Sequence, residues 1–185
     1  MAEKIRLDWS CFYNKNDFIN ESFFQNKNKI CTVYVWGWKN DKCVFKPFYV
    51  GSTTDLLKRI FEHIGKLNGG HYCIYSIEYF FSDKFKRFSD KKFDTEPLYL
   101  PSNISNIYQT FISNQIVLDT VKWLVDHFTI TYAKTEKKYY REIEKYISNI
   151  IGQEKLGSTV KGKYNLENEI EITSAYPEVK KIFNV

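Results

Sequence analysis

Two strand-like stretches, ICTVYVWGW (residues 30–38) and CVFKPFYV (residues 43–50), flank the polar cluster Lys39, Asn40, Asp41 and Lys42. The segment DLLKRIFEHIGKL follows Gly51 almost at once. β-branched and aromatic residues on either side of a short polar turn specify a β-hairpin. Pro47 lacks an amide proton, so its strand is expected at a sheet edge or at a bulge. Ser52, Thr53 and Thr54 offer hydroxyl caps for the helix that follows. In that helix Leu56, Leu57, Ile60, Ile64 and Leu67 recur at helical spacing, and Asp55, Arg59 and His63 form an i, i+4, i+8 stripe beside them. A hairpin feeding a two-faced helix points to a small α/β (α+β) domain, enlarged by a helical insertion and terminal extensions.

The rest of the chain supplies candidates for both. Residues 1–29 read as an amphipathic extension with isolated aromatics, and HYCIYSIEYFF (71–81) reads as a strand or extended segment. DKFKRFSDKKF is a basic, aromatic-rich loop within an insertion spanning 82–125. From Ser102 a helical face is expected, carrying Ile104, Ile107, Tyr108, Phe111, Ile112, Ile116, Val117, Val121 and Leu124. FTITYA (128–133) predicts a strand. Thr135 is placed to cap a helix running to Ile151, with Tyr139, Ile143, Ile147, Ile150 and Ile151 inward. Residues 128–165 would complete the core, and 166–185 form an acidic terminal extension. A chain of 185 residues is expected to form one domain with decorations.

Composition narrows the partners. With 27 Lys plus Arg against 22 Asp plus Glu, the net charge of +5 permits an anionic partner without demanding one. Eight Gly, four Pro and 18% aromatics exclude a disordered chain. Charges or amides interrupt every apolar stretch, so no membrane span is expected. MAEKIRLDWS places Arg6 and Asp8 where a signal peptide needs apolar residues, which predicts a cytoplasmic address. Cys11, Cys31, Cys43 and Cys73 lack metal-knuckle spacing and read as buried thiols of a reducing compartment.

The hairpin and helix carry a family resemblance. T-V-Y-V-W with Tyr34, then F-Y-V-G-S-T-T-D-L-L-K-R-I-F-E-H with Tyr49, Gly51, Arg59 and His63, resembles the core of GIY-YIG nucleases. Thr32 and Val33 stand where Gly and Ile give that family its name. The resemblance implies a three-stranded, mainly antiparallel sheet flanked by helices. It also implies a Glu on a later helix as the ligand of Mg²⁺ or Mn²⁺. In YYREIEKYISNII, Glu144, preceded by Ile143 and followed by Ile147, matches that context better than Glu142, which stays as the alternate. G-K-Y-N ending at Asn165 is similar to a Tyr-Asn pair found in many members.

The chemistry suits these residue types. Phosphodiester hydrolysis needs a positioned water, an acceptor for its proton and positive charge at the phosphate. An always-protonated planar fork at Arg59 answers the last. By resemblance, one of Tyr34 and Tyr49 is the base and the other positions water or phosphate, with His63 orienting that phenol or relaying its proton. Lys58, Arg59, Lys84, Lys86, Arg87, Lys91 and Lys92 are candidate contacts to duplex DNA. The expected activity is endonucleolytic, with a sequence-specific restriction enzyme as the leading subtype and a homodimer for cutting both strands. A structure-selective or mobile-element nuclease, and a non-catalytic nucleic-acid-binding module, are the alternatives.

Overall fold

The computed structural model describes residues 4–20, 30–85, 97–101, 111–156 and 168–183. Its strands are β1 (Lys4–Trp9), β2 (Tyr13–Asn14), β3 (Thr32–Lys39), β4 (Phe45–Thr53), β5 (Phe128–Lys134) and β6 (Glu169–Ser174). Its helices are α1 (Asp17–Asn20), α2 (Leu56–Asn68), α3 (Ile77–Phe81), α4 (Gln115–Asp126), α5 (Tyr140–Ile151) and α6 (Pro177–Lys180). They form one six-stranded, mostly antiparallel sheet in the order β4-β3-β5-β1-β6, with β2 pairing on β5.

The expected hairpin is β3–β4, and β5 joins it on the other side of β3. The sheet is larger than the three strands expected, because both terminal extensions contribute. β1 and β6 pair in parallel from Lys4↔Glu169 to Trp9↔Ser174, and β1 meets β5 at Trp9↔Ala133. Leu7 and Trp9 give β1 a buried face that needs a sheet to bury it.

β3 is buried along almost its whole length, so its side chains divide between two layers. Tyr34, Trp36 and Trp38 pack with Phe48, Phe128, Ile130 and helices α2 and α4. Val33 and Val35 pack on the opposite face with Val50, Ala133, Leu7 and α5. β4 is the edge strand that Pro47 predicts, and the register also slips there: Trp36 faces Tyr49, but Gly37 faces Pro47. A Cβ on Gly37 would lie 2.0 Å from the Lys46 carbonyl oxygen, so the bulge depends on that glycine.

Several expectations are corrected. The α2 cap is Asp55, whose carboxylate accepts from the Lys58 amide, while Thr53 turns back onto Asp55. Residues 71–81 are not a strand: only Ile74 bridges, to Tyr99, and the Ser76 hydroxyl caps α3 instead. α4 starts afresh at the Asn114 cap, and this turns Ile112 and Ile116 outward (55% and 66% exposed) while Val117, Val121 and Leu124 stay inside. Residues 102–110 lie outside the described residues. α5 begins at Tyr140 behind Tyr139, not at Thr135, whose hydroxyl is buried without a hydrogen-bond partner among the described residues. All four cysteines are free, but none is fully buried, and Cys43 is exposed in the β3–β4 turn at φ 60°. Phe85 is buried against Tyr75, Tyr79 and Phe80, where it serves packing. No helix among the described residues is long and apolar enough to cross a membrane.

Candidate active site

Tyr34 on β3 lies opposite Gly51 on β4, and Tyr49 shares their face of the sheet two residues earlier. Gly51 leaves the space that both phenols use. A Cβ there would sit 2.4 Å from Tyr34 Oη and 2.5 Å from Tyr49 Cε1. The rings stack at 6.1 Å between centroids. Tyr34 is 1% exposed, whereas Tyr49 is only partly covered.

α2 starts immediately beyond the strand, so its stripe points back over these rings. Arg59 Nε donates to Tyr34 Oη at 3.3 Å, and the guanidinium also favours the ionised form of Tyr49. The other arm of the guanidinium is held by Glu62 at 2.5 Å; Asp55 is occupied by its capping bond. One turn further, His63 is fully buried, with Nε2 2.8 Å from Tyr34 Oη and Nδ1 2.6 Å from Tyr72 Oη. The result is a hydrogen-bonded chain, Tyr34–His63–Tyr72, with Tyr49 stacked on Tyr34 and Arg59 donating to Tyr34.

Burial sets the protonation states. It pushes His63 down to about 3, helped by Arg59 and Lys66, so the imidazole is neutral across the physiological range. Burial raises Tyr34 far above the usual phenol value, and Tyr49 adds to this while Arg59 pulls the other way. Tyr49 is raised by burial, again against Arg59, and Tyr72 by burial and by Tyr49. Desolvation disfavours the charge on Arg59, but its bonds to Glu62 and Tyr34 more than offset that and hold it protonated.

Glu144 reaches this cluster from the opposite layer. Ile143, Ile147 and Ile151 anchor α5 under β3 and β4, and this brings the neighbouring Glu144 to the flank along β4. There the Ser52 hydroxyl donates to its carboxylate. Ser52 adjoins Gly51 on an edge strand, and the charge of Glu144 acts on Tyr34 and Tyr49 while that of Arg59 acts on Glu144. Glu144 is 6% exposed, and burial raises its carboxyl above the ordinary range despite Ser52 and Arg59. Glu142 instead accepts from Lys145 at 2.8 Å.

Tyr34, Tyr49, Arg59 and His63 therefore come together in contact, and Glu144, held by Ser52, interacts electrostatically with three of them. Asn165, Lys86, Arg87, Lys91 and Lys92 lie outside the described residues. Lys58 is exposed on α2 next to Arg59, and Lys84 is exposed just after α3. Among the described residues no three His, Cys, Asp or Glu side chains gather as a metal cage. A single Mg²⁺ or Mn²⁺ does not require one, because it keeps most of its water and binds through one or two carboxylates. The donors fit such an ion: they are oxygens, and Glu144 is a buried carboxylate with one hydroxyl donor.

Sequence reasoning missed Tyr72, Ser52 as a carboxylate partner, and Glu62. Glu62 was legible as the i+3 neighbour of Arg59. Tyr72 was not, since it reaches His63 only because Gly70, at φ 66°, turns the chain back over α2.

Comparison with family models, with characterised proteins and with solved structures finds no significant match to this chain.

Proposed function

We propose that this protein is a metal-dependent endonuclease that hydrolyses DNA phosphodiester bonds, with a sequence-specific restriction enzyme as the leading subtype. One observation carries the reading: two phenols, a guanidinium and a neutral histidine share one face of the β3–β4 hairpin, and a buried carboxylate held by Ser52 of the same hairpin interacts electrostatically with the phenols and the guanidinium.

Glu144 would hold Mg²⁺ or Mn²⁺, which when bound supplies positive charge against the phosphate and the leaving oxygen. Arg59 presents its fork to the phosphate as negative charge builds there. Tyr49 is the phenol that solvent reaches, so it positions the attacking water and takes its proton. Its own proton passes to Tyr34, and Tyr34 delivers one to His63 Nε2. As Nε2 gains that proton, Nδ1 releases its own to Tyr72, which returns one to solvent. His63 thus need not carry a full charge, in keeping with a ring that burial holds neutral. The P–O bond opposite the water breaks, and the departing oxygen is protonated by solvent.

Cleavage of supercoiled plasmid in Mg²⁺ tests the reading. Wild type is expected to cut, and Arg59→Ala and Glu144→Ala are each expected to lose at least about a hundredfold in rate. Cutting that survives both substitutions overturns the mechanism. Discrete fragments from long duplex DNA mark a restriction enzyme, whereas cutting confined to branched or flapped substrates marks a structure-selective one.

A further inference from the structure

A groove of about 460 Å³ runs beside the first half of β4, between that strand and the C-terminal end of α5. Its charged lining is Lys42, Lys46, Lys155 and Lys181 against the single acidic residue Glu178. Lys42, Lys155 and Lys181 are exposed and form no ion pair with a described residue. Lys46 is partly covered, donating to the Ser82 carbonyl at 2.6 Å and lying over Phe85. Burial lowers its ammonium, Lys155 adds to this, and Asp83 opposes it.

The groove and Glu144 share one seam, between β4 and α5. Ser52 and Glu144 mark one end of the β4–α5 seam, and Lys46 and Ile151 mark the other. Seven helical residues from Glu144 to Ile151 span ~10 Å, and six strand residues from Ser52 to Lys46 span ~20 Å. One strand of duplex DNA carries a phosphate every ~3.4 Å of axis, so this interval matches about three to six phosphates.

Resting on the nuclease reading for its register, we propose that this groove binds the DNA phosphate backbone flanking the scissile phosphate, with Lys42, Lys155 and Lys181 as its cations. It contributes affinity without base selectivity and takes no part in the chemical step.

Binding of a fluorescein-labelled duplex, followed by anisotropy without Mg²⁺ over a salt series, tests it. Replacing Lys42, Lys155 and Lys181 together by Ala should flatten the slope of log K against log salt by ~0.9 for each lost phosphate contact, so by about 3. Replacement of all three by Arg should restore it, and the cleavage rate at saturating DNA should be unchanged. A wild type that cuts, with a triple Ala variant of unaltered slope, overturns the groove and leaves the nuclease reading standing. A wild type that binds with the expected slope and loses it in the variant, but never cuts, supports the groove and overturns the nuclease reading. No duplex binding by wild type overturns both.

Discussion

The hydroxyl of Tyr34 lies 2.8 Å from Nε2 of His63, and neither residue is more than 1% exposed. A histidine pushed down to about 3 binds fewer protons folded than unfolded between that value and its ordinary ~6.5. The folded state therefore loses stability as pH falls through this window, because the unfolded chain takes up the proton first. Chemical denaturation from pH 7 to pH 4 should show that loss, and His63→Gln should flatten it. An equally steep acid limb in the variant would assign the loss to other groups.

Tyr72→Phe removes the hydroxyl that faces His63 Nδ1 and keeps the ring. It should cost about 1 kcal/mol of stability. Its kcat on duplex DNA should fall about tenfold to a hundredfold with KM unchanged, since the outlet of the proton chain is lost while phosphate binding is not. Single-turnover cleavage separates this from a binding defect.

Gly51→Ala places a methyl group where the two phenols lie, 2.4 Å from Tyr34 Oη. Rigid neighbours on an edge strand should make this cost about 1–3 kcal/mol, and cleavage should fall further than Tyr34→Phe alone because both rings are displaced. Urea melts and plasmid cleavage read the two effects separately.

Glu144 has the opposite pH linkage to His63. Burial raises its carboxyl, so the associated stability is present below the ordinary carboxylate range and is lost as pH rises through the folded value. Glu144→Gln should stabilise the protein at neutral pH by on the order of 1 kcal/mol while abolishing cleavage. Millimolar Mg²⁺ should raise the melting temperature of wild type and leave that of Glu144→Gln unchanged.

Arg59→Lys keeps the charge and loses the planar fork that bonds Tyr34 and Glu62 together. A rate loss of about a hundredfold or more is expected. Glu62→Gln, which frees one arm of the guanidinium, should lower KM for DNA without lowering kcat, as a steady-state titration would show.

The hairpin, its turn, the edge position of Pro47 and helix α2 were legible because each rests on local patterns: β-branched alternation, a polar turn, a missing amide and a 3.6-residue period. The candidate residues on that unit, Tyr34, Tyr49, Arg59 and His63, were picked out by the resemblance, whose motif fits within 30 consecutive positions. β1 and β6 were hidden, being polar along one face and joined across almost the whole chain length. The strand or extended segment expected at 71–81 holds only as far as the bridge at Ile74, because aromatic content alone does not separate a strand from the short helix capped by Ser76.

By itself the sequence determined which side chains α2 and the hairpin present, because chain neighbours at fixed spacing must share a face. Its periodicity left Glu142 and Glu144 equivalent, as both flank the same apolar stripe, and only the resemblance favoured Glu144. The tertiary structure separated them: packing of Ile143 and Ile147 under an edge strand turned Glu144 toward Ser52 and left Glu142 to Lys145. It alone also brought Tyr72 back onto His63 through the turn at Gly70. Those contacts depend on how layers dock, and docking is fixed by the whole core rather than by any local run of residues.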